Sequence, residues 1–544
     1  MMKKLICLFL VFTMILSLAA CSTAPAEQPT VTPTEAPTET PTEKPDEPKI
    51  LKVGRDYSNL GNLDMHLSTY NEVFEIGNTI CETLIAKEDE TLELYPLLIK
   101  DMPEISEDGL TYTFELKEGI TFHDGSPLTT EDVVYTFNRF FDPKMGGLMT
   151  WLATMIEGSE EFLDGTNDLL TGIEAIDDTH FTMSLYYPYS AFPSVLAAAP
   201  LAIYPSDAAQ AAGDRWGLDT YIGTGPYMVE SFEAKTKLVL SKFDDYHGGA
   251  KKLDKIEFIN MDRDTALLEF EAGNIDVVGV DTQVVDTYLN DPEFDNNIKF
   301  QEFIGIYSLN FNQDLEPLNN PKVRQAIGLA TDSATLCEAY FKGHVKPAKS
   351  LFPKGIPGYD DSLPEFEYDP ELAKSLLAEA GYPNGINITA TATENSSFIN
   401  IYQILQQQYA LANITLDIEL VDSAGWFDKR STGNVQFYIL NWYADFNDPD
   451  NFIYSLYHGD SEDFLSTGNK DPEFDALLEK GRMISDPDEK QKFYAELEYS
   501  LTREKFANLP LYAPAGYYLV SDRATGVLLK RDFLYSFLEA DIVE

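Results

Sequence analysis

The side chains of this 544-residue chain that could do chemistry include 6 histidines, 4 cysteines and 90 acidic residues. Their spacing limits what that chemistry can be. The histidines, His66, His123, His180, His247, His344 and His458, are scattered. No two stand at zinc-ligand spacing, and no HExxH occurs. Gly223-Thr224-Gly225-Pro226 is glycine-rich but lacks the lysine of a phosphate loop. Its proline removes an amide donor, so it reads as a tight turn. There is no GxSxG elbow and no serine at the lysine spacing of penicillin-binding enzymes. The run Asp445-Phe446-Asn447-Asp448-Pro449-Asp450 begins like a calcium loop. It lacks the glycine at the sixth position and the closing glutamate, which excludes an EF-hand. Carboxylate pairs occur throughout so acidic a chain and do not by themselves indicate glycosidase chemistry. With no catalytic set, metal site or cofactor site, the chain reads as a protein that binds rather than an enzyme.

One cysteine does stand in a reactive context. Lys3-Lys4 precede an apolar run from Leu5 to Leu18, and Ala19-Ala20-Cys21 follow. A basic start, a short apolar stretch and a small-residue cleavage site make a secretory signal. The run is short for a membrane span. The cysteine after two alanines resembles the lipobox of bacterial lipoproteins. That implies a signal peptide over residues 1–20, a diacylglycerol on the thiol of Cys21, and a mature chain anchored to the extracytoplasmic face of the cell membrane. Ser22 to Lys49 is almost all Thr, Pro, Glu and Ala, with no aromatic residue. It cannot bury a core, so 21–49 reads as a disordered, extended tether. Cys7 leaves with the signal. For the remaining Cys81 and Cys337, two buried free thiols or one long-range disulfide both fit.

The elements that must position any site follow from pattern and punctuation. A 44% hydrophobic content over this length supports two or more domains. A net charge of -51 repels nucleic acid and anionic headgroups, which excludes nucleic-acid binding. Alternation predicts strands at 111–116, 181–186, 237–241, 256–259, 298–303, 307–311, 387–392, 415–421 and 435–440. Helices interleave with them. Asn320-Pro321, Asp369-Pro370, Asp471-Pro472 and Asp486-Pro487 each set a capping side chain before a proline at the first turn. Thr129-Thr130-Glu131-Asp132 opens another helix, running to about Phe141. Interleaved strands and helices over the whole body indicate α/β architecture.

Several blocks, taken in order, resemble the extracellular solute-binding proteins of peptide and nickel ABC transporters, the family of oligopeptide- and dipeptide-binding proteins. Ile80-Cys81-Glu82-Thr83-Leu84 resembles an early helix of that family, followed by Pro96-Leu97-Leu98. Tyr112–Asp132 reads YTFELKEGITFHDGSPLTTED, a strand, an FHDG turn and a capped helix. GTGPY at 223–227, FDDYHGGAKKLDK at 243–255, EAGNIDVV at 271–278, PKVRQAIGLA at 321–330, DPELAKSLLAEAG at 369–381 and WYADFNDP at 442–449 complete the series. Leu63-Asp64-Met65 departs from the Leu-Asp-Pro common there, so no early ligand contact is carried over.

The resemblance implies a two-lobed periplasmic-binding-protein-like fold with a hinge and an extra α/β insert. Element order puts lobe one at 50–91, 201–311 and 509–544, the insert at 92–200 and lobe two at 312–508. The crossovers then fall near Tyr307–Asn312 and Leu509–Ala513. It also implies a peptide ligand between the lobes, and permease and ATPase subunits as partners of a monomeric, lipid-anchored receptor of Gram-positive type. In peptide-binding members the aspartate of the matching block anchors the α-ammonium, and here that is Asp445. Two roles fit Asp445 on residue type, this anchor and a turn former beside Asp448-Pro449. Two also fit Trp442 and Tyr443, cleft lining and packing at a strand end. Trp426 and Arg324 read as structural. An oligosaccharide receptor of the same fold, using its aromatic side chains, and an extracellular hydrolase are the alternative functions.

Overall fold

The computed structural model describes residues 47–394, 396–461 and 467–543. The segment 1–20, Cys21 and the tether through residue 46 lie outside the described residues. From Pro48 onward the chain is one compact unit built on two large sheets. The first has seven strands, in the order Ile298–Glu302, Ala515–Val520, Val277–Val280, Ile50–Arg55, Lys255–Asn260, Lys237–Lys242, Tyr227–Glu233. The second has six, in the order Lys346–Pro347, Asn508–Ala513, Gly305–Phe311, Phe437–Tyr443, Ile386–Thr393, Ile414–Val421. Ile50–Arg55 runs parallel to Lys255–Asn260, and Ile386–Thr393 parallel to Ile414–Val421. A separate four-stranded sheet of Glu104–Ile105, Thr111–Glu115, His180–Ser184 and Ile173–Ala175 lies within the span 92–200.

Local sequence explains these elements. Thr111–Glu115 turns Tyr112 and Phe114 inward and leaves its threonines at the surface, the two-residue period of a half-buried strand. Asn320, Asp369, Asp471 and Asp486 each accept hydrogen bonds from the first-turn amides of the helices Pro321–Leu329, Pro370–Glu379, Pro472–Arg482 and Pro487–Tyr499. Thr129 and Asp132 form a reciprocal capping box on Thr130–Phe141. The block at 80–84 is not helical. The helix there is Asn71–Ile80, and Cys81 is already extended at φ -119°.

The chain passes between the two sheets at two places. Ile298–Glu302 ends at the edge of the first sheet, and two residues later Gly305–Phe311 enters the middle of the second. Asn508–Ala513 leaves the second sheet, and Ala515–Val520 joins the first after Pro514 alone. The expected boundaries at 311/312 and 508/509 are therefore displaced. The strands 305–311 and 508–513 belong to the second sheet, because each pairs along its length there. The boundary at 91/92 likewise falls inside the hairpin of Ile85–Lys87 with Leu94–Pro96. One continuous core joins Leu51 and Val53 of the first sheet to Phe114 and Phe181 of the insert, so these two parts stand or fall together. The two faces of the second sheet carry separate cores, one around Leu309 and Ile388 and one around Tyr438 and Phe452.

Three of the sequence blocks meet at one buried carboxylate, and a fourth joins them through the GTGPY turn. Glu82 accepts from the hydroxyls of Thr224, at 2.8 Å, and Tyr246, at 2.7 Å, and lies 2.7 Å from His247 Nε2. His123 of the FHDG turn reaches Gly225 O with Nε2 at 2.9 Å. These blocks thus join the insert to the first sheet. The glycines of the GTGPY turn are required by close approach: a Cβ at Gly223 would sit 2.0 Å from the carbonyl oxygen of Ile80 and 2.7 Å from Cys81 Cα. Backbone on both sides cannot yield cheaply. We expect Gly223→Ala to lower stability by ~3 kcal/mol or more, at the upper end of overpacking costs, read as a reduced denaturation midpoint.

Candidate functional site

A cavity of ≈ 440 Å³ opens between the two sheet-centred halves. The helix Asn71–Ile80 and the segments 81–89, 149–152, 197–200 and 526–539 line one side, and Tyr443, Ala444 and Asp445 face them from the second sheet. Asp445 follows the strand Phe437–Tyr443 by two residues, at its carboxyl end, where α/β clefts place ligands. Its segment is tied to the first crossover: Ala444 N donates to Ile304 O at 3.0 Å, and Phe303 N to Pro514 O at 3.0 Å. The groups facing the cavity therefore sit beside the passages that join the halves.

The segment Ala444–Asp450 carries three aspartates with three different environments. Asp448 is buried and pairs with Lys490 Nζ at 2.6 Å, while its other oxygen accepts from Asp450 N at 3.0 Å, an Asx-type turn contact. Asp450 is buried and held by Arg482 Nε at 2.9 Å and by the Tyr189 hydroxyl at 2.6 Å. Asp445 makes neither kind of contact. Asn451 Nδ2 donates to its Oδ2 at 3.2 Å, and no cation among the described residues lies within ion-pairing distance. Its side chain is half-buried and lines the cavity. Loss of bulk water raises its pKa to about 6, which the Asn451 hydrogen bond and the more distant Lys87 charge lower only in part. A carboxylate that is ionised at neutral pH, enclosed and unpaired is a group built to receive a cation.

The other sequence candidates divide. Tyr443 lines the cavity, with its hydroxyl 3.3 Å from that of Tyr307. Trp442 does not line it. Neighbouring residues on a strand face opposite sides, so Trp442 turns away and packs beside the core around Tyr438. Its indole Nε1 donates to Asn451 Oδ1 at 2.9 Å, and its ring lies 6.5 Å from Trp151. The alternation of Trp442, Tyr443 and the residues after them was the available signal for this difference. Arg324 donates to the carbonyls of Leu318, Phe506 and Lys505 and is structural. Trp426 packs edge-on against Tyr438. Cys81 and Cys337 are both free and buried, and burial pushes the Cys337 thiol up to about 12.

Two features escaped the sequence reading. Asn451 orients both the Asp445 backbone and its carboxylate, with Asp445 N donating to Asn451 Oδ1 at 3.1 Å. Arg482, Asp450, Tyr187 and Tyr189 tie the insert to the second half, aided by Asn447 N donating to Ser194 Oγ at 3.0 Å. The partners in this tie are separated by up to 295 positions, and pairings of that range leave no local pattern. Among the described residues, no group of three His, Cys, Asp or Glu side chains could hold a metal ion, and no helix is long and apolar enough to cross a membrane.

Comparison with known proteins agrees with this architecture. The family model for bacterial extracellular solute-binding proteins, family 5, middle region, matches residues 93–464. Heme-binding protein A of Haemophilus influenzae is 27% identical over 445 residues, covering 78% of this chain and 80% of that protein. The dipeptide-binding protein of Escherichia coli is 27% identical over 435 residues, covering 75% of this chain and 79% of its own. The solved structure of the periplasmic binding protein DppA from Helicobacter pylori, in complex with the peptide STSA, superposes with a TM-score of 0.75 at 25% identity, over 91% of this chain and 98% of that one.

The three aspartates should respond differently to mutation. Arg482→Met strands the buried Asp450 charge, and we expect a loss of about 3–5 kcal/mol in unfolding free energy. Asp445→Asn removes an ionised group whose folded-state pKa lies above its unfolded value, so the penalty it relieves is present above about pH 6. At pH 7.5 this variant should be as stable as the parent or more so. Thermal denaturation of both variants checks the contrast.

Proposed function

This chain belongs to family 5 of the bacterial extracellular solute-binding proteins, and we propose that it captures peptides between its two halves as the receptor of an ABC importer. The single observation that carries the peptide reading is Asp445, the one aspartate of its segment left without a cation, facing a cavity large enough for a small ligand. An α-ammonium would supply the missing charge and form a charge-assisted hydrogen bond in a site with little water. The family alone does not choose the ligand, since its relatives include a heme-binding and a dipeptide-binding protein by name. The cavity wall favours a charged ligand over a neutral sugar: Asp445, Lys87, Lys530, Asp532 and Asp89 all line it. The named relatives are binding proteins, and the reading as a receptor rather than an enzyme follows theirs.

The rest of the proposal concerns delivery. The lipobox-like Leu18-Ala19-Ala20-Cys21 and the Thr/Pro/Glu-rich segment after it support a monomeric receptor held by lipid to the extracytoplasmic face. Such a tether raises the local concentration of the receptor at its permease and ATPase partners. No phosphate loop is present in this chain, so the energy source would lie in those separate subunits.

Isothermal titration calorimetry with peptides tests the anchor. Asp445→Asn should weaken binding at least about 30-fold, the lower range for removing one side of an enclosed charge pair. Unchanged affinity would remove Asp445 from the site. The pH dependence has a definite sign. The ammonium binds the ionised carboxylate, so affinity is highest near pH 7, falls as pH drops through about 6 with proton release on binding in that window, and falls again above about pH 8 as the ligand's amine loses its proton. Asp445→Asn should flatten this profile. For the anchor, Cys21→Ser should leave affinity intact and shift the protein from the membrane fraction to the medium. Retention at the membrane would contradict lipidation.

A further inference from the structure

The insert also meets the second half away from the cavity. Tyr187, Tyr189, Ser190 and Ser194 approach from the insert and Asn447, Asp450 and Arg482 from the second half, and none of them lines the cavity. Arg482 and Asp450 belong to the same half, so their ion pair is complete without the insert. Among the described residues, no ion pair crosses this boundary. Hydrogen bonds and ring faces do. The Tyr189 hydroxyl donates to Asp450 Oδ2 at 2.6 Å, Ser190 N donates to Arg482 O at 2.9 Å, and Asn447 N donates to Ser194 Oγ at 3.0 Å. The Arg482 guanidinium lies 5.5 and 5.1 Å from the ring centres of Tyr187 and Tyr189. Phe446 adds an apolar contact, buried in the core that the insert shares with the first sheet.

A boundary of this kind can open. Water replaces each hydrogen bond, and no charge is stranded when the surfaces part. The junction of the insert with the first sheet is different, because its continuous apolar core would be exposed by separation. One group works against contact. Asn447 Oδ1 and Nδ2 are both shielded from solvent without a hydrogen-bond partner among the described residues. A shielded, unbonded amide is unfavourable, and separation would hydrate it.

The gripped segment is the one that presents Asp445. Asn447 and Asp450 follow it closely in the chain, and Asn451 holds both its backbone N–H and its carboxylate. Separation at this boundary therefore carries Asp445 away from the opposite wall of the cavity. We propose that Tyr189 and Ser194 act as a catch. They hold the segment 445–451 against the insert, through groups that no ligand in the cavity touches, and the Asn447 amide keeps the hold weak enough for the halves to part. The catch rests on capture between two halves and not on the peptide reading.

Hydrogen exchange of the full-length chain without ligand, resolved by residue through electron-transfer fragmentation, tests it. The Ser190 amide bonds across the boundary and reports its opening. The amides of Ile50–Arg55, in the middle of the first sheet, report global unfolding. In the parent, Ser190 should exchange faster than that strand and slower than an unbonded amide. Tyr189→Phe and Ser194→Ala should each accelerate Ser190 by about fivefold, the effect of one hydrogen bond, with the strand unchanged. Asn447→Leu should slow Ser190 by a similar factor. Should one variant fail to fold, the others still decide. Ser190 exchanging at the strand's rate in the parent means a permanent joint and overturns the catch. Exchange at the rate of an unbonded amide means no hold and also overturns it. Equal acceleration of Ser190 and the strand in Tyr189→Phe assigns the hydroxyl to global stability, with the same consequence. Acceleration of Ser190 in Asn447→Leu overturns the opposing role of the amide. None of these readouts involves a peptide, so the catch and the role of Asp445 fail separately.

Discussion

Two short passages of chain, 303–304 and Pro514, join the seven-stranded to the six-stranded sheet, and the rest of the structure is arranged around that restriction. They lie side by side. Phe303 N donates to Pro514 O, and Tyr307 stacks on Tyr512 with ring centroids 4.5 Å apart just inside the second sheet. Two adjacent crossings, together with the insert's ties to the second half through Tyr189–Asp450 and Ser194–Asn447, set how the halves face each other. The cavity opens beside the crossings. Ala444 is hydrogen bonded to Ile304, so the strand end that presents Asp445 is fastened to the crossing itself. Across from it, the insert is fixed to the first half by a shared core and by the buried Glu82 cluster. A rigid wall on each side of a narrow joint is the arrangement a capture site between two bodies needs.

Charge is distributed over these walls with a consistent logic. Most buried carboxylates here are matched: Asp64 with Arg139, Asp276 with Arg523, Asp448 with Lys490 and Asp450 with Arg482. Such pairs specify geometry, since either partner left alone in the interior is costly. Asp445 departs from that pattern only where the protein meets the cavity. The long contacts of Lys530 occur at the same cavity. Charged groups of both signs, the unpaired Asp445 among them, thus line one cavity.

Much of this was legible locally. Apolar patterning located Thr111–Glu115, Lys237–Lys242, Ile386–Thr393 and Ile414–Val421 to within a residue or so, by an alternating buried face as in Thr111–Glu115 or a short buried apolar run as in Leu238–Leu240. Asp-Pro and Asn-Pro pairs marked helix starts because the cap and the missing amide belong to the same few residues. The ordered blocks were visible for a related reason: tight turns and close glycine contacts, as at Gly223, tolerate few residue types. The passage between sheets was misplaced because Ile298–Glu302 and Gly305–Phe311 form one nearly continuous β-type run, and nothing local says that its two parts pair with different sheets.

The sequence by itself determined the α/β class, the resemblance to a solute-binding family, the strongly acidic character of the body and the position of Asp445 just beyond a strand. These are properties of composition and short-range pattern. Only the tertiary structure decided which of three neighbouring aspartates lacks a cation, that Tyr443 rather than Trp442 faces the cavity, and that Lys87 and Lys530 share one carboxylate. Lys490 and Arg482 are distant in sequence from the aspartates they neutralise, and Lys87 and Asp532 come from opposite ends of the body. Whether a charge is satisfied depends on what the fold brings within about 3–4 Å of it, and that is set by packing over hundreds of residues rather than by its neighbours in the chain.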